Sequence, residues 1–274
     1  MSDAQIDIEP RSPAQVPRPI DEATRAEIEA MARRQRRANG LLMKVINFAG
    51  GQVEDGLKLL PQSVRSQVEK SARNALEISY NAAQRSRDSS ALARIVGEQT
   101  TDRSHKVMAA VSGAIGGVGG LPTAMAELPV ATTVIFRAVQ SVAEAHGEDP
   151  LSDETRIECL RVFGSGGPGT DDDAVDTSFI GARLSLSGAA VHGLIARIAP
   201  RFAAVLSQKL ATQAVPLIGA VAGAGINASF TNYYVELAHV HFGLRRLARD
   251  HGEEAVLDLF HAAVVGRDVP VKRA

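Results

Sequence analysis

The stretch FTNYYVELAHVHFGLRRLARDHG, residues 230–252, decides the fold class. Advancing 100° per residue, Phe230, Tyr233, Tyr234, Leu237, Val240, His241 and Leu244 fall on one broad face. Asn232, Glu236, His239, Gly243 and Arg246 fall on the other. A period near 3.6 sustained over more than twenty residues is a long amphipathic helix, and the reading extends it over 216–251. His241 is the only strongly polar member of the apolar stripe, with Arg245 and Asn227 at its edge.

Outward from this helix the same period recurs. Helices are expected near 21–38, 41–49, 61–87, 90–98, 102–118, 122–146, 152–163, 173–198, 200–214 and 253–265, with breaks at Asn39-Gly40 and Gly50-Gly51. No run alternates with period two. Hydrophobic residues make up 45% of the 274, but aromatics only 4%, and there is no tryptophan. With 43 alanines and 24 glycines, that mixture favours closely packed helices over strands. The fold class is therefore all-α: a single multi-helix domain with two glycine-rich central helical segments and a disordered N-terminal tail. The expected divisions are a Pro-rich tail over 1–20, a basic amphipathic N-terminal helical segment over 21–60 and a helical domain over 61–274. Gly164 to Gly169 followed by Asp171, Asp172 and Asp173 reads as an acidic loop.

Composition also excludes classes of function. A net charge of −1 and this aliphatic content do not describe a disordered chain, and the lone Cys159 cannot staple a small scaffold. No basic stretch leads into an apolar one near Met1, and the single cysteine agrees with a reducing compartment, so a cytoplasmic location is expected. Residues 1–106 hold 17 Lys+Arg against 14 Asp+Glu, and residues 107–274 hold 13 against 17. That balance gives no reason to expect nucleic acid.

Two segments lack charge: VMAAVSGAIGGVGGLPTAMA (107–126) and LATQAVPLIGAVAGAGINASFTNYYV (210–235). Both reach the length of about 20 residues that crosses a bilayer. Both carry glycines four apart, Gly113 and Gly117, Gly116 and Gly120, Gly219 and Gly223, a spacing that lets helix backbones approach closely. Pro122, Gln213, Pro216, Asn227 and Asn232 would need polar partners in lipid, so a buried central hairpin is the expectation, with contact to lipid the open alternative. The cluster Arg33, Arg34, Arg36 and Arg37 lies either on an anionic membrane surface or on a solvated helix face.

Signatures of catalysis are sparse. The chain has no Gly-Lys pair for a phosphate loop and no His-Glu-x-x-His. Gly164-x-Gly166-x-x-Gly169 is followed by aspartates that repel a pyrophosphate, and no βαβ unit surrounds it. No cofactor is expected. His241 reads as a hydrogen-bonded core residue, a metal ligand or a general base. Glu236 and His239 have the spacing of half a di-metal site but lack the second Glu-x-x-His pair. Glu127 shares a face with Ala131, Val134 and Ala138 if the helix continues through Pro129, and it needs a cation or donor. A contact from Glu127 to Arg245 or His241 is the structural expectation.

Several motifs resemble one family. Gly120-Leu121-Pro122, Glu127-Leu128-Pro129-Val130 and Thr132-Thr133, then His146-Gly147-Glu148-Asp149, Glu158-Cys159-Leu160 and Phe163, are similar in order to the first part of EcsC family proteins. Lys209, Gln213, Pro216, Gly219, Asn227, His241-Phe242, Arg245-Arg246-Leu247 and Gly252 resemble its C-terminal half, and the likeness covers roughly residues 40–265. The resemblance implies a bacterial, all-helical protein of a family named from genes beside an ABC transporter, with no established reaction. It also marks Glu127, Asn227, His241, Arg245 and Arg246 as recurring polar positions. The expected function is a non-enzymatic accessory protein, cytoplasmic or peripheral at the inner membrane face, its partner an anionic membrane surface or a membrane transporter. The alternatives are a hydrolase using Glu127 and His241, with or without metal, and a lipid or small-molecule binding module.

Overall fold

Helix starts and stops are written into short polar signals. Asp21 Oδ1 accepts from the Thr24 backbone N–H at 2.8 Å, which caps α1 (Glu22–Gly50). α2 (Gln62–Arg85) and α3 (Gly120–Ala145) follow, and Gly147, at φ +81, turns the chain after α3. Ser152 Oγ accepts from Thr155 N to open α4 (Asp153–Gly164), with acids in its first turn and Arg161 in its last. α5 (Gly188–Gln213), α6 (Gly219–His251) and α7 (Glu253–Val265) complete the set. Gly252, at φ +87, is the single residue between α6 and α7, and its positive φ lets the chain turn there.

The computed structural model describes residues 17–50, 62–85, 120–150, 152–165, 188–213 and 219–266. Side chains at 41–50, 63–65, 83–85, 120–127, 188–189, 208–213 and 219–227 fall outside that description. Among the described residues there are seven helices and no strand, so the all-α reading holds. The helices expected at 90–98 and 102–118, and most of the acidic loop, lie outside the described residues, as does any close packing around Gly113, Gly117, Gly219 and Gly223.

Two expectations about breaks need correction. Asn39-Gly40 does not interrupt α1, which runs through it; Gly40 costs a helix only about 1 kcal/mol, which packing overrides. The helices expected at 173–198 and 200–214 are joined across Pro200 in α5, where the proline sits on the exposed side. α3 likewise continues through Pro129. Residues 17–20 of the expected tail are held in place: Arg18 N–H donates to Asp250 O at 2.9 Å, and Pro17 lies against Gly252.

The core has two parts. The larger joins α2, α3, α4, α5 and α6 through Leu76, Leu128, Phe136, Leu160, Leu194, Phe202 and Leu237. At its centre Phe163 stacks on Tyr234 at 4.8 Å between ring centroids and meets Phe202 edge-on at 5.2 Å. Each such pair contributes about 0.5–1.5 kcal/mol beyond the area it buries. The smaller core joins α1, α6 and α7 through Ile28, Met31, Ala32, Leu244, Leu247, Val256 and Phe260. α6 therefore serves both cores. α4 is buried almost all round, with Arg156, Glu158 and Arg161 inside.

Candidate functional site

The stripe along α6 is buried as read: Phe230, Tyr233, Tyr234, Leu237, Val240, His241 and Leu244 are all within the core. His241 meets Glu158 of α4, Nε2 to Oε2, at 2.9 Å. A carboxylate only accepts, so Nε2 carries the proton, and Nδ1 is left without a hydrogen bond in the apolar interior. Arg161 Nη1 donates to the other Glu158 oxygen at 3.0 Å, and Arg245 Nη1 approaches that oxygen at 3.2 Å. Arg245 also pairs with Glu154 and, through Nε at 3.2 Å, with Glu148, which in turn accepts from Arg249 at 2.7 Å. Three carboxylates thus face three guanidiniums around one imidazole.

Burial opposes the Glu158 charge, but the His241 hydrogen bond and the charges of His241, Arg161 and Arg245 outweigh it and hold the carboxyl below its ordinary range. Burial also opposes the Arg245 charge, but Glu158, Glu154 and Glu148 keep that guanidinium more basic than usual. Burial lowers Arg161 despite Glu158. Cys159, next in sequence, is fully buried, and burial pushes its thiol well up, so it stays protonated and unreactive. Glu158 and His241 have the base-and-orienter form of a triad, yet the free imidazole nitrogen faces no solvent.

Among the described residues the carboxylate on both His241 and Arg245 is Glu158, and the expected contact from Glu127 to Arg245 or His241 falls outside them. The side chains of Glu127 and Asn227 lie outside the described residues. Sequence reasoning passed over Glu158 because two of its partners, His241 and Arg245, are more than 80 positions away. A signal was present: Glu158 and Arg161, three apart, have the spacing of an ion pair within one helix and sit among Ile157, Cys159, Leu160, Val162 and Phe163.

The opposite face of α6 is not a solvated one. α1 and the start of the turn after α3 cover it. Arg34 Nε donates to Glu236 Oε2 at 2.5 Å and Nη2 to Oε1 at 3.3 Å, a two-point pairing. Arg246 pairs with Glu27. His146 Nε2 lies 3.1 Å from His239 Nδ1. Gly243 admits Met31, whose terminal methyl would stand 2.6 Å from an added Cβ. Between these groups runs a partly open groove of about 520 Å³, lined by Arg34, Arg37, His146, Asn232, Glu236 and His239 among others. Among the described residues no three His, Cys, Asp or Glu side chains gather as a metal cluster. The basic cluster divides: Arg34 faces Glu236, Arg36 donates to the terminal carbonyls Ala263 and Val264 of α7, Arg33 lies outside beside Glu29, and Arg37 rims the groove.

One described helical stretch, Ala190–Ser207, is long and apolar enough to cross a bilayer, at a mean hydropathy of 1.2. Its apolar members Leu194, Ile195, Ile198, Phe202 and Val205 are the buried ones, and His192, Arg197, Pro200 and Arg201 face out. That is the pattern of a core helix.

No curated protein and no solved structure matches the chain. The family model described as the EcsC protein family matches residues 22–247, which takes in α1 through most of α6 and with them the Glu158–His241–Arg245 cluster and the groove, so the chain belongs to the EcsC protein family.

Proposed function

We propose that the protein is a non-enzymatic helical accessory component, cytoplasmic or peripheral at the inner face of the membrane, that assists a transporter or envelope process. The observation that carries the reading is the closed state of its best acid–base constellation. Glu158 is 4% exposed and His241 0%, and the carboxylate is taken up by His241, Arg161 and Arg245 of its own fold. An ion-pair network of that kind specifies how α4 packs on α6 and leaves no group poised for a substrate. For a membrane contact, the outward Arg33 and Arg37 on α1 and Arg197 on α5 supply the cations.

Fractionation of cells with a carbonate wash tests the location, and co-sedimentation with vesicles containing anionic lipid tests the surface. Release by carbonate, with vesicle binding that weakens in Arg33→Glu/Arg37→Glu, is the expected result. Full recovery in the soluble fraction with no vesicle binding refutes the membrane part. A hydrolase screen in which His241→Ala abolishes a wild-type activity refutes the non-enzymatic part.

A further inference from the structure

Polar steps climb the interface between α1 and α6, and the last of them does not close. The two helices run antiparallel there: Glu27 of α1 meets Arg246, and further along α1 Arg34 meets Glu236, earlier on α6. The next turn of α1 carries Arg37, and the next turn of α6 in the same direction carries Asn232. Both line the groove together with the Arg34–Glu236 pair. At this step a cation shares the groove with a neutral amide, where the two steps before it have a carboxylate. Arg37 is exposed and Asn232 half-buried, and among the described residues neither has a hydrogen bond or an ion pair.

The charges do not balance either. The guanidiniums of Arg34, Arg37 and Arg246 stand against the carboxylates of Glu27 and Glu236, which leaves one positive charge in excess. His146 adds none at neutral pH, because burial first, then the charges of Arg246 and Arg34, lower its pKa against Glu27 and Glu148. Arg37 presents a planar fork of N–H donors, and the Asn232 amide presents an NH2. An oxyanion accepts from both. A carboxylate uses its two oxygens on the fork, whereas a phosphate has a third for the amide. Ala30, Met31 and Ala38 give the groove an apolar side, and about 520 Å³ is the size of a small-molecule site.

We propose that Arg37 and Asn232 form a binding site for a phosphate group, carried by a small phosphate monoester or by a phospholipid headgroup. The bound phosphate completes the last step of the ladder and ties α1 to α6 at that level. Binding of a soluble ester needs neither a membrane nor a transporter, so the site stands or falls apart from the accessory reading.

The full chain, in phosphate-free buffer of low salt, is titrated calorimetrically with glycerol 3-phosphate. In parallel it is co-sedimented with phosphatidylcholine vesicles, with and without phosphatidic acid. Saturable binding is expected in at least one arm: to the soluble ester if the source is a small molecule, to phosphatidic acid vesicles alone if it is a headgroup. In the arm that binds, Arg37→Gln is expected to weaken affinity about tenfold or more, and Asn232→Ala about threefold to tenfold. Asn232→Ala changes no charge, so its loss reads a built site, which general attraction to a basic surface does not mimic. Arg33→Gln, an exposed cation beside Glu29, is expected to bind the soluble ester as wild type does. Circular dichroism checks that each variant folds. No saturable binding in either arm, or binding that folded Arg37→Gln or Asn232→Ala retains in full, overturns the proposal. Vesicle binding that Asn232→Ala leaves untouched overturns it too while keeping the accessory reading, which the carbonate wash judges by itself.

Discussion

Replacing Glu158 by alanine removes the one acceptor shared by His241, Arg161 and Arg245. Breaking a buried ion pair by deleting one member costs about 3–5 kcal/mol, because the orphaned charge stays in the interior. The share borne by Arg245 is small, since its side chain is 16% exposed and keeps Glu148 and Glu154. Arg161, at 2% exposure, has no such relief from solvent, and the sealed His241 loses the acceptor for Nε2. The loss is therefore placed near the lower end, about 3 kcal/mol, or roughly 6–12 °C in Tm for a chain of this size. Urea unfolding followed by circular dichroism reads it as a lower midpoint at unchanged slope. The comparison is Glu154→Ala, whose carboxylate is 67% exposed and which is expected to cost less than about 1 kcal/mol. The folded-state pKa of Glu158 is depressed, so its stabilisation is present above the unfolded carboxyl pKa and is lost as pH falls through the folded one. The gap between wild type and Glu158→Ala should narrow in acid accordingly. A Glu158→Ala protein within about 1 kcal/mol of Glu154→Ala at neutral pH refutes the reasoning.

Burial and neighbouring arginines hold the His146 pKa below its ordinary value, so the folded state binds fewer protons than the unfolded one as pH drops below about 6.5. Stability should fall through that window and level off below the folded pKa, and urea midpoints should show a shallower fall in His146→Gln. The Cys159 thiol is 0% exposed. An aromatic disulfide reagent is expected to leave it untouched in buffer and to titrate one thiol in denaturant; rapid native labelling would show that α4 opens readily. Gly164→Ala puts a Cβ 2.9 Å from Ile198 Cγ1 in the packed core and is expected to cost about 1–3 kcal/mol. Gly243→Ala crowds the flexible end of Met31, meets His146 Cε1 at an ordinary 3.6 Å and gains about 1 kcal/mol of helix preference, so it should lie much nearer to wild type by thermal unfolding.

What the sequence made legible was whatever a single helix dictates for itself. The stripe from Phe230 to Leu244 needs only a 3.6-residue period, and it is buried throughout. Local chemistry also sets helix ends: Ser152 caps α4, acids fill the first turns of α4 and α7, and Gly266 follows the last residue of α7. Pairings between helices were not legible. Nothing near His241 in the chain points to Glu158, because the choice among carboxylates is made by how α4 lies across α6. The polar face of α6 also misled. Glu236, His239 and Arg246 read only as the face opposite the apolar stripe, yet each is answered by a polar group brought by α1 or by the end of α3. A face that carries matched charges looks the same in sequence whether water or a partner helix completes it.

The seating of α1 on α6 and α7 sets an order of events during synthesis. Ile28, Met31 and Ala32 find their partners in Leu244, Leu247, Val256 and Phe260, more than 200 residues later. At about 5–20 residues per second on the ribosome, that apolar face waits roughly 10–40 s for its partners to be made. The nascent chain therefore carries an exposed, basic amphipathic helix until α6 and α7 are made. Closure of the smaller core waits for those two helices, a step that a chaperone can attend.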